Sequence, residues 1–188
     1  MTTPLCALAD VKTYLSQSGT GNDALLNRLI TAASAFIESW LSRTIAVASY
    51  TDTFNGNGQR VLYLPNRPVQ SIVSLAIDTV SIAAAPDSTS WGYSFDEERI
   101  YLRGYEFTVG VQNVAVEYTA GLSSNAPADV PADLTQACIE LIALKYRRMG
   151  DEGMASKHLA SETVSFVTAD MPKPVATILA QYKNVVPA

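Results

Sequence analysis

The chain opens on a helical alternation of apolar and polar positions. LADVKTYLSQSG puts Leu8, Val11, Tyr14 and Leu15 on one helical face and stops at Gly19. After GTGN, the stretch DALLNRLITAASAFIESWLSR returns an apolar residue every three or four positions, at Leu26, Leu29, Ile30, Ala33, Ile37, Trp40 and Leu41. Arg28, Ser34 and Glu38 fall on the opposite side, and Asn22 or Asp23 is placed to cap the start. An amphipathic helix of about five turns is expected there.

From Ile45 the period shortens to two. YTDTF, NGNG and QRVLYLP predict a hairpin that turns at Gly56, Asn57 and Gly58. RPVQSIVSLAID is a further strand region, with Val69, Ile72 and Leu75 among its apolar positions, and residues 78–85 offer a short return strand. SWGYSF, DEER and IYL predict a second hairpin, the small polar stretch 81–90 an exposed loop, and VGVQNVAVEYTAG the last strand.

A Pro-punctuated loop then launches a helix, with Pro131 in its first turn and Asp129 or Val130 near the cap. Gln136, Glu140, Ala143 and Arg147 form one narrow stripe, while Leu134, Cys138, Ile139, Leu141, Ile142, Leu144 and Tyr146 cover most of the rest. A helix apolar over so much of its circumference has neighbours on more than one side. The first long helix and a short closing one, PKPVATILAQYKNVV with Val175, Ile178, Leu179 and Tyr182 on one face, are the expected neighbours. Between them DEGMASKHLASETVSFVTADM is mixed, and SETVSFV reads as a strand or extended arm. The pattern predicts an α+β fold. A mainly helical core (long amphipathic helix, central buried helix, short C-terminal helix) spans 1–44 and 122–188, with an antiparallel β module inserted at 45–121.

Composition removes several function classes. The 188 residues are 48% hydrophobic and 16% charged, enough for a core and against disorder. A net charge of −5 and a pI near 4.8 disfavour affinity for nucleic acid or anionic lipid, which needs clustered Lys and Arg. No apolar run approaches a membrane span, and MTTPLCALADVKTYL lacks the basic n-region of a signal peptide. Cys6 and Cys138, far apart in sequence, read as two reduced, buried thiols.

Candidate chemistry is sparse. His158 is the only histidine, which excludes a zinc site needing two, and Ser156 and Ser161 flank it without a nucleophile-elbow pattern. GTGND follows a helix rather than a strand and has no Gly-Lys-Ser/Thr, so it reads as a helix–helix turn. Asp96, Glu97 and Glu98 could pair as an acid/base site, but between two apolar runs they read as a solvated hairpin tip. No cofactor, metal or catalytic residue is assigned. Lys145, Arg147, Arg148 and Lys157 cluster where the central helix ends. They either complement the helix dipole or form a patch for an acidic protein partner.

The order of elements resembles the head–tail connector (adaptor, or head completion) proteins of long-tailed bacteriophages. LADVKTYL with NDALLNRLITAASAFIESWLSRTI is similar to the family's opening helix pair, and LYLPNRPVQSIVSLAID to its strand entered through a "P-x-x-PV". VAVEYTAGLSSNAPADVPADLTQACIELIALKYRRM resembles the strand, Gly turn and central helix, and MPKPVATILAQYKNVV the closing helix. Residues 78–102 have no counterpart in this likeness.

The resemblance implies a non-enzymatic structural protein of the virion neck, made in the host bacterial cytoplasm. Its copies, about twelve, would form a ring between the portal and the stopper or tail-completion protein. DNA would pass through the channel without specific binding, and no membrane would be involved. Carried over, the resemblance makes Pro172, Val175, Ile178, Leu179 and Tyr182 candidates for the portal contact, with residues 162–167 as an arm. On that reading, removing everything after Met171 weakens portal attachment more than it harms the fold; the alternative is that the same apolar face closes the chain's own helical core. Two other classes stand beside the neck reading: a cytosolic peptide- or small-ligand-binding module using the β insert, and an enzyme with an unrecognised site.

Overall fold

A computed structural model describes residues 3–149, 156–159, 162–165 and 171–183. The chain is mixed α+β, with four helices and antiparallel sheets, and the β part is substantial. It divides into two compact units, one built from Met1–Arg43 with Asn125–Asn184 and one from Thr44–Ser124.

In the first unit α1 (Leu8–Tyr14) is short, ending before Gly19, and buries only Val11 of its predicted face; Tyr14 is exposed. α2 (Asp23–Leu41) follows the predicted spacing and buries Leu26, Ile30, Ala33, Ile37 and Leu41. It ends because Ser42 turns left-handed, φ 54°, with cap N–H groups reaching back to the Glu38 and Ser39 carbonyls. Ser34, placed by periodicity on the polar side, is instead fully buried. Its hydroxyl accepts from Leu5 N at 3.0 Å, and that bond lets a polar side chain sit in the core.

α3 (Ala132–Arg148) starts one residue later than the sequence suggests. Pro131 is the N-cap, with ψ 132°, not a first-turn residue. The helix buries Leu134, Ala137, Cys138, Ile139, Leu141, Ile142 and Ala143 and packs against α1, α2 and α4 (Lys173–Ala180). Ala143, assigned to the polar stripe, is buried because a methyl group suits a close helix approach; Leu144 and Tyr146 are only half-buried. The segment before α1 crosses this packing: Thr135 Oγ1 donates to Leu5 O at 3.2 Å, and the Cys6 thiol lies 3.7 Å from Cys138 Sγ. Both cysteines are buried and unbridged. Donation to Cys138 and burial hold the Cys6 proton well above the ordinary thiol range. The interval after α3 contains a small antiparallel hairpin, β8 (Ser156–Leu159) with β9 (Glu162–Ser165); of the expected arm, 166 and 167 lie outside the described residues.

The second unit holds two antiparallel sheets. One has the order β1 (Ala48–Gly56), β7 (Gly110–Ala120), β3 (Val69–Ile77), β4 (Val80–Ser81); the other is β2 (Val61–Tyr63), β6 (Arg99–Arg103), β5 (Gly92–Phe95). The hairpin predicted across NGNG does not form. β1 pairs with β7, from Ala48↔Ala120 to Gly56↔Gly110, and β2 pairs with β6. Gly58 N donates to Phe107 O and Phe107 N to Gln59 O, so this stretch carries the chain from one sheet to the other. The β5–β6 hairpin and the β3–β4 return form as expected. Val114, Val116, Tyr118 and Ala120 of β7 alternate into a core shared with Leu75, Ile77, Ile100, Leu102 and Phe107.

Candidate functional site

α4 is held at both ends. Val175 and Leu179 are fully buried in the helical unit, and α4 packs on α3 and touches α2. Tyr182 OH donates to the Asp133 carboxylate at 2.7 Å from either oxygen, and Arg43 Nη1 donates to Tyr182 O at 3.3 Å. Of the five candidate portal residues, two are therefore enclosed, while Pro172, Ile178 and Tyr182 keep partial exposure.

Burial, then the bond to Asp133, pushes the Tyr182 phenol from its ordinary 10.0 up to about 12. A raised folded pKa stabilises the unit below pH 10 and loses that contribution as pH climbs through about 12. Among the late-titrating tyrosines, phenolate absorbance should lose one transition in Tyr182→Phe, and that same transition should move back toward the ordinary range in Asp133→Asn. Tyr182→Phe should also cost about 1–3 kcal/mol in chemical denaturation.

The basic cluster is only partly assembled. Lys145 Nζ lies 5.3 Å from the Phe36 ring centroid, a cation–π contact, and Arg147 is exposed. Arg148 is half-buried, and the Lys157 side chain lies outside the described residues. Next to them Asn22 Nδ2 donates to Tyr146 OH at 3.1 Å, tying the end of α3 to the start of α2.

In the β unit, one face of the four-stranded sheet is hydroxyl-rich: Ser49, Thr51, Thr53, Ser71 and Ser74 are exposed, with Glu117 among them. Ser71 and Thr119 share a 2.7 Å hydrogen bond across β3 and β7. Beneath, Tyr118 is fully enclosed, stacks on Tyr50, donates to Asp52 at 2.7 Å and accepts from Asn66 at 2.9 Å. That network lets a phenol and a carboxylate sit under the sheet.

Sequence reasoning missed the tip where β7 begins. Asn113 Oδ1 accepts from Gly56 N at 2.9 Å, and its amide donates to Asp78 and to Thr108 O. Asn55 Oδ1 accepts from Gln112 N. This scaffold presents Val109 and Val111, 82% and 84% exposed. The readable signal is the slip in VGVQNVAV, where Val111 and Val114 are three positions apart in a strand that otherwise alternates in twos.

Asp96, Glu97 and Glu98 stand at an exposed hairpin tip, where Asp96 Oδ1 accepts from Glu98 N and Arg99 N. That geometry caps a turn. Among the described residues no three of His, Cys, Asp and Glu converge as metal ligands, and no helix is long and apolar enough to cross a membrane. The arrangement is one of surfaces, and its chemistry is packing and charge.

The family of head completion proteins matches residues 4–185. Among solved structures, a chain from the neck of a native gene transfer agent (GTA) particle, computed with C12 symmetry, is similar. It shares 21% identity at TM-score 0.59, over 100% of this chain and 97% of that one. A chain from the native GTA virion shares 22% identity at TM-score 0.61, and one from the neck of an empty GTA particle with C6 symmetry 21% at 0.60. Each pairing covers 98% of this chain and 92% of the other. These likenesses establish a common fold. Comparison with curated proteins gives no match.

Proposed function

This chain belongs to the head completion protein family, structural rather than catalytic, and from that premise we propose that it forms a ring in the virion neck, between the portal and the stopper or tail. The family match over nearly the whole chain carries the reading. The C12 symmetry of the related neck supports a ring of twelve copies closed by heterologous contacts.

In this reading DNA passes through the ring without sticking. The acidic excess is concentrated in the β unit, where Thr44–Ser124 carry eight carboxylates, four arginines and no lysine. Phosphate neutralisation has little to work with there. Ile178 on α4, with Pro172 and Tyr182 flanking that helix, supplies the portal-facing contact, while Val175 and Leu179 hold the helix in place. Lys145, Arg147, Arg148 and Lys157 offer positive charge to an acidic partner surface. A filter-binding assay near physiological salt tests the conduit: negligible retention of duplex DNA is expected. Tight retention that weakens steeply with salt would contradict it.

A further inference from the structure

The four-stranded sheet has one sealed flank and one open flank. On the β3 side, β4 covers Ala76 and Ile77, and Leu75 O accepts from Ile82 N. Ile72 O accepts from Tyr93 OH, and Val69 N donates to Glu97 O. On the other side β1 pairs with β7 alone among the described residues, leaving alternate peptide groups from Ala48 to Phe54 without a strand beside them.

Natural edge strands are normally blunted by Lys, Pro, a bulge or an outward charge. β1 reads ASYTDTFNG, with no lysine and no proline. Its one charge, Asp52, is bonded to Tyr118 OH, and its register is unbroken from Ala48 to Phe54. Such an edge is a template for another strand.

The same chain holds a strand pair that lacks a third member. β8 and β9, four residues each, pair only with each other among the described residues. A lone two-stranded hairpin is marginal in water. It lies in the 24 residues, 149–172, that separate α3 from α4, and those two helices pack together. Ten residues of chain span at most roughly 35 Å, so an interval of this length is long enough to meet a neighbouring copy. Thr163 and Val164 give β9 strand propensity, and β8 carries Lys157, a charge opposite to the carboxylate excess of Thr44–Ser124.

We propose that in the assembled ring the β8–β9 hairpin of one copy adds to the open β1 edge of the next, extending its four-stranded sheet across the subunit boundary. The contact rests on the ring reading. It is head-to-tail, so it repeats around a closed ring, and it gives both unfinished elements a partner. Exposed hydroxyls at Ser49, Thr51 and Thr53 leave room for the added strand's side chains.

Hydrogen–deuterium exchange of the full chain, free at low concentration and in purified necks, tests it. In the neck, the amides of 48–54 and of 156–165 should both slow by roughly tenfold or more relative to the free chain. The double variant Thr51→Lys with Thr53→Lys should keep the free chain's melting temperature and lower its copy number in necks. Wild-type chain that enters necks while 48–54 exchange as fast as in the free chain would overturn this contact and leave the ring standing. Protection of 48–54 without 156–165 would assign the edge to another partner, and protection already present in the dilute free chain would make the pairing internal; either overturns the proposal. Wild-type chain that never joins a ring would overturn the ring reading and the contact together.

Discussion

Leu179→Ala should lower the stability of the helical unit by about 2–5 kcal/mol. The side chain is fully buried on α4, a helix of eight residues whose other inward anchor is Val175. So short a helix has little stability of its own, and packing against α3 and α2 holds it. Truncation leaves a cavity its neighbours cannot close without moving α4. The unit's total stability is of the order of 5–15 kcal/mol, so one methyl-for-isobutyl change removes a large share.

This bears on the fate of a chain cut after Met171. The sequence reading expects portal attachment to weaken more than the fold is harmed, with closure of the chain's own core as the alternative. Enclosure of Val175 and Leu179, with the Tyr182–Asp133 bond, argues that the cut destabilises the helical unit as well. Circular dichroism of Leu179→Ala and of the truncated chain separates the two. Native helicity with a lower melting temperature is expected for the first, and partial loss of helicity at 25 °C for the second.

Gly121→Ala should be strongly damaging to the β unit, costing about 3–5 kcal/mol. Gly121 follows the last residue of β7 at φ 146°, a backbone conformation L residues rarely adopt. A Cβ there would stand 2.6 Å from Ala46 O and 2.6 Å from the Val47 Cα, both backbone atoms that cannot swing aside. The turn is also bonded in place: Gly121 N donates to Pro68 O, and Gln70 Nε2 donates to Gly121 O. Chemical denaturation followed by tryptophan fluorescence and far-ultraviolet dichroism measures the loss. A change below about 1 kcal/mol would mean the turn relaxes, contrary to this geometry.

Elements whose stability is local were legible in the sequence. α2 follows the three-and-four spacing of its apolar residues, and the β5–β6 hairpin follows its DEER tip. Pairing over distance was not. NGNG carries a strong local hairpin signal, yet β1 joins β7 more than fifty residues away because Val114, Val116 and Tyr118 complete a core that β2 could not. Periodicity also misplaced Ser34, since a buried hydroxyl with a backbone partner looks like a surface serine on a wheel. The approach of Cys6 to Cys138 depends on how the N-terminal segment crosses two helices, which no spacing encodes. As for the candidate site, the apolar face of α4 was readable. Whether that face closes its own core or meets a partner was not, because both uses demand the same residues.

The most direct test of the ring is mass photometry of the chain, alone and mixed with a portal ring from the same particle. The account predicts a small species alone and a portal that gains about a dozen copies when the two are combined. A portal whose mass does not change, at concentrations where neck proteins assemble, would contradict it.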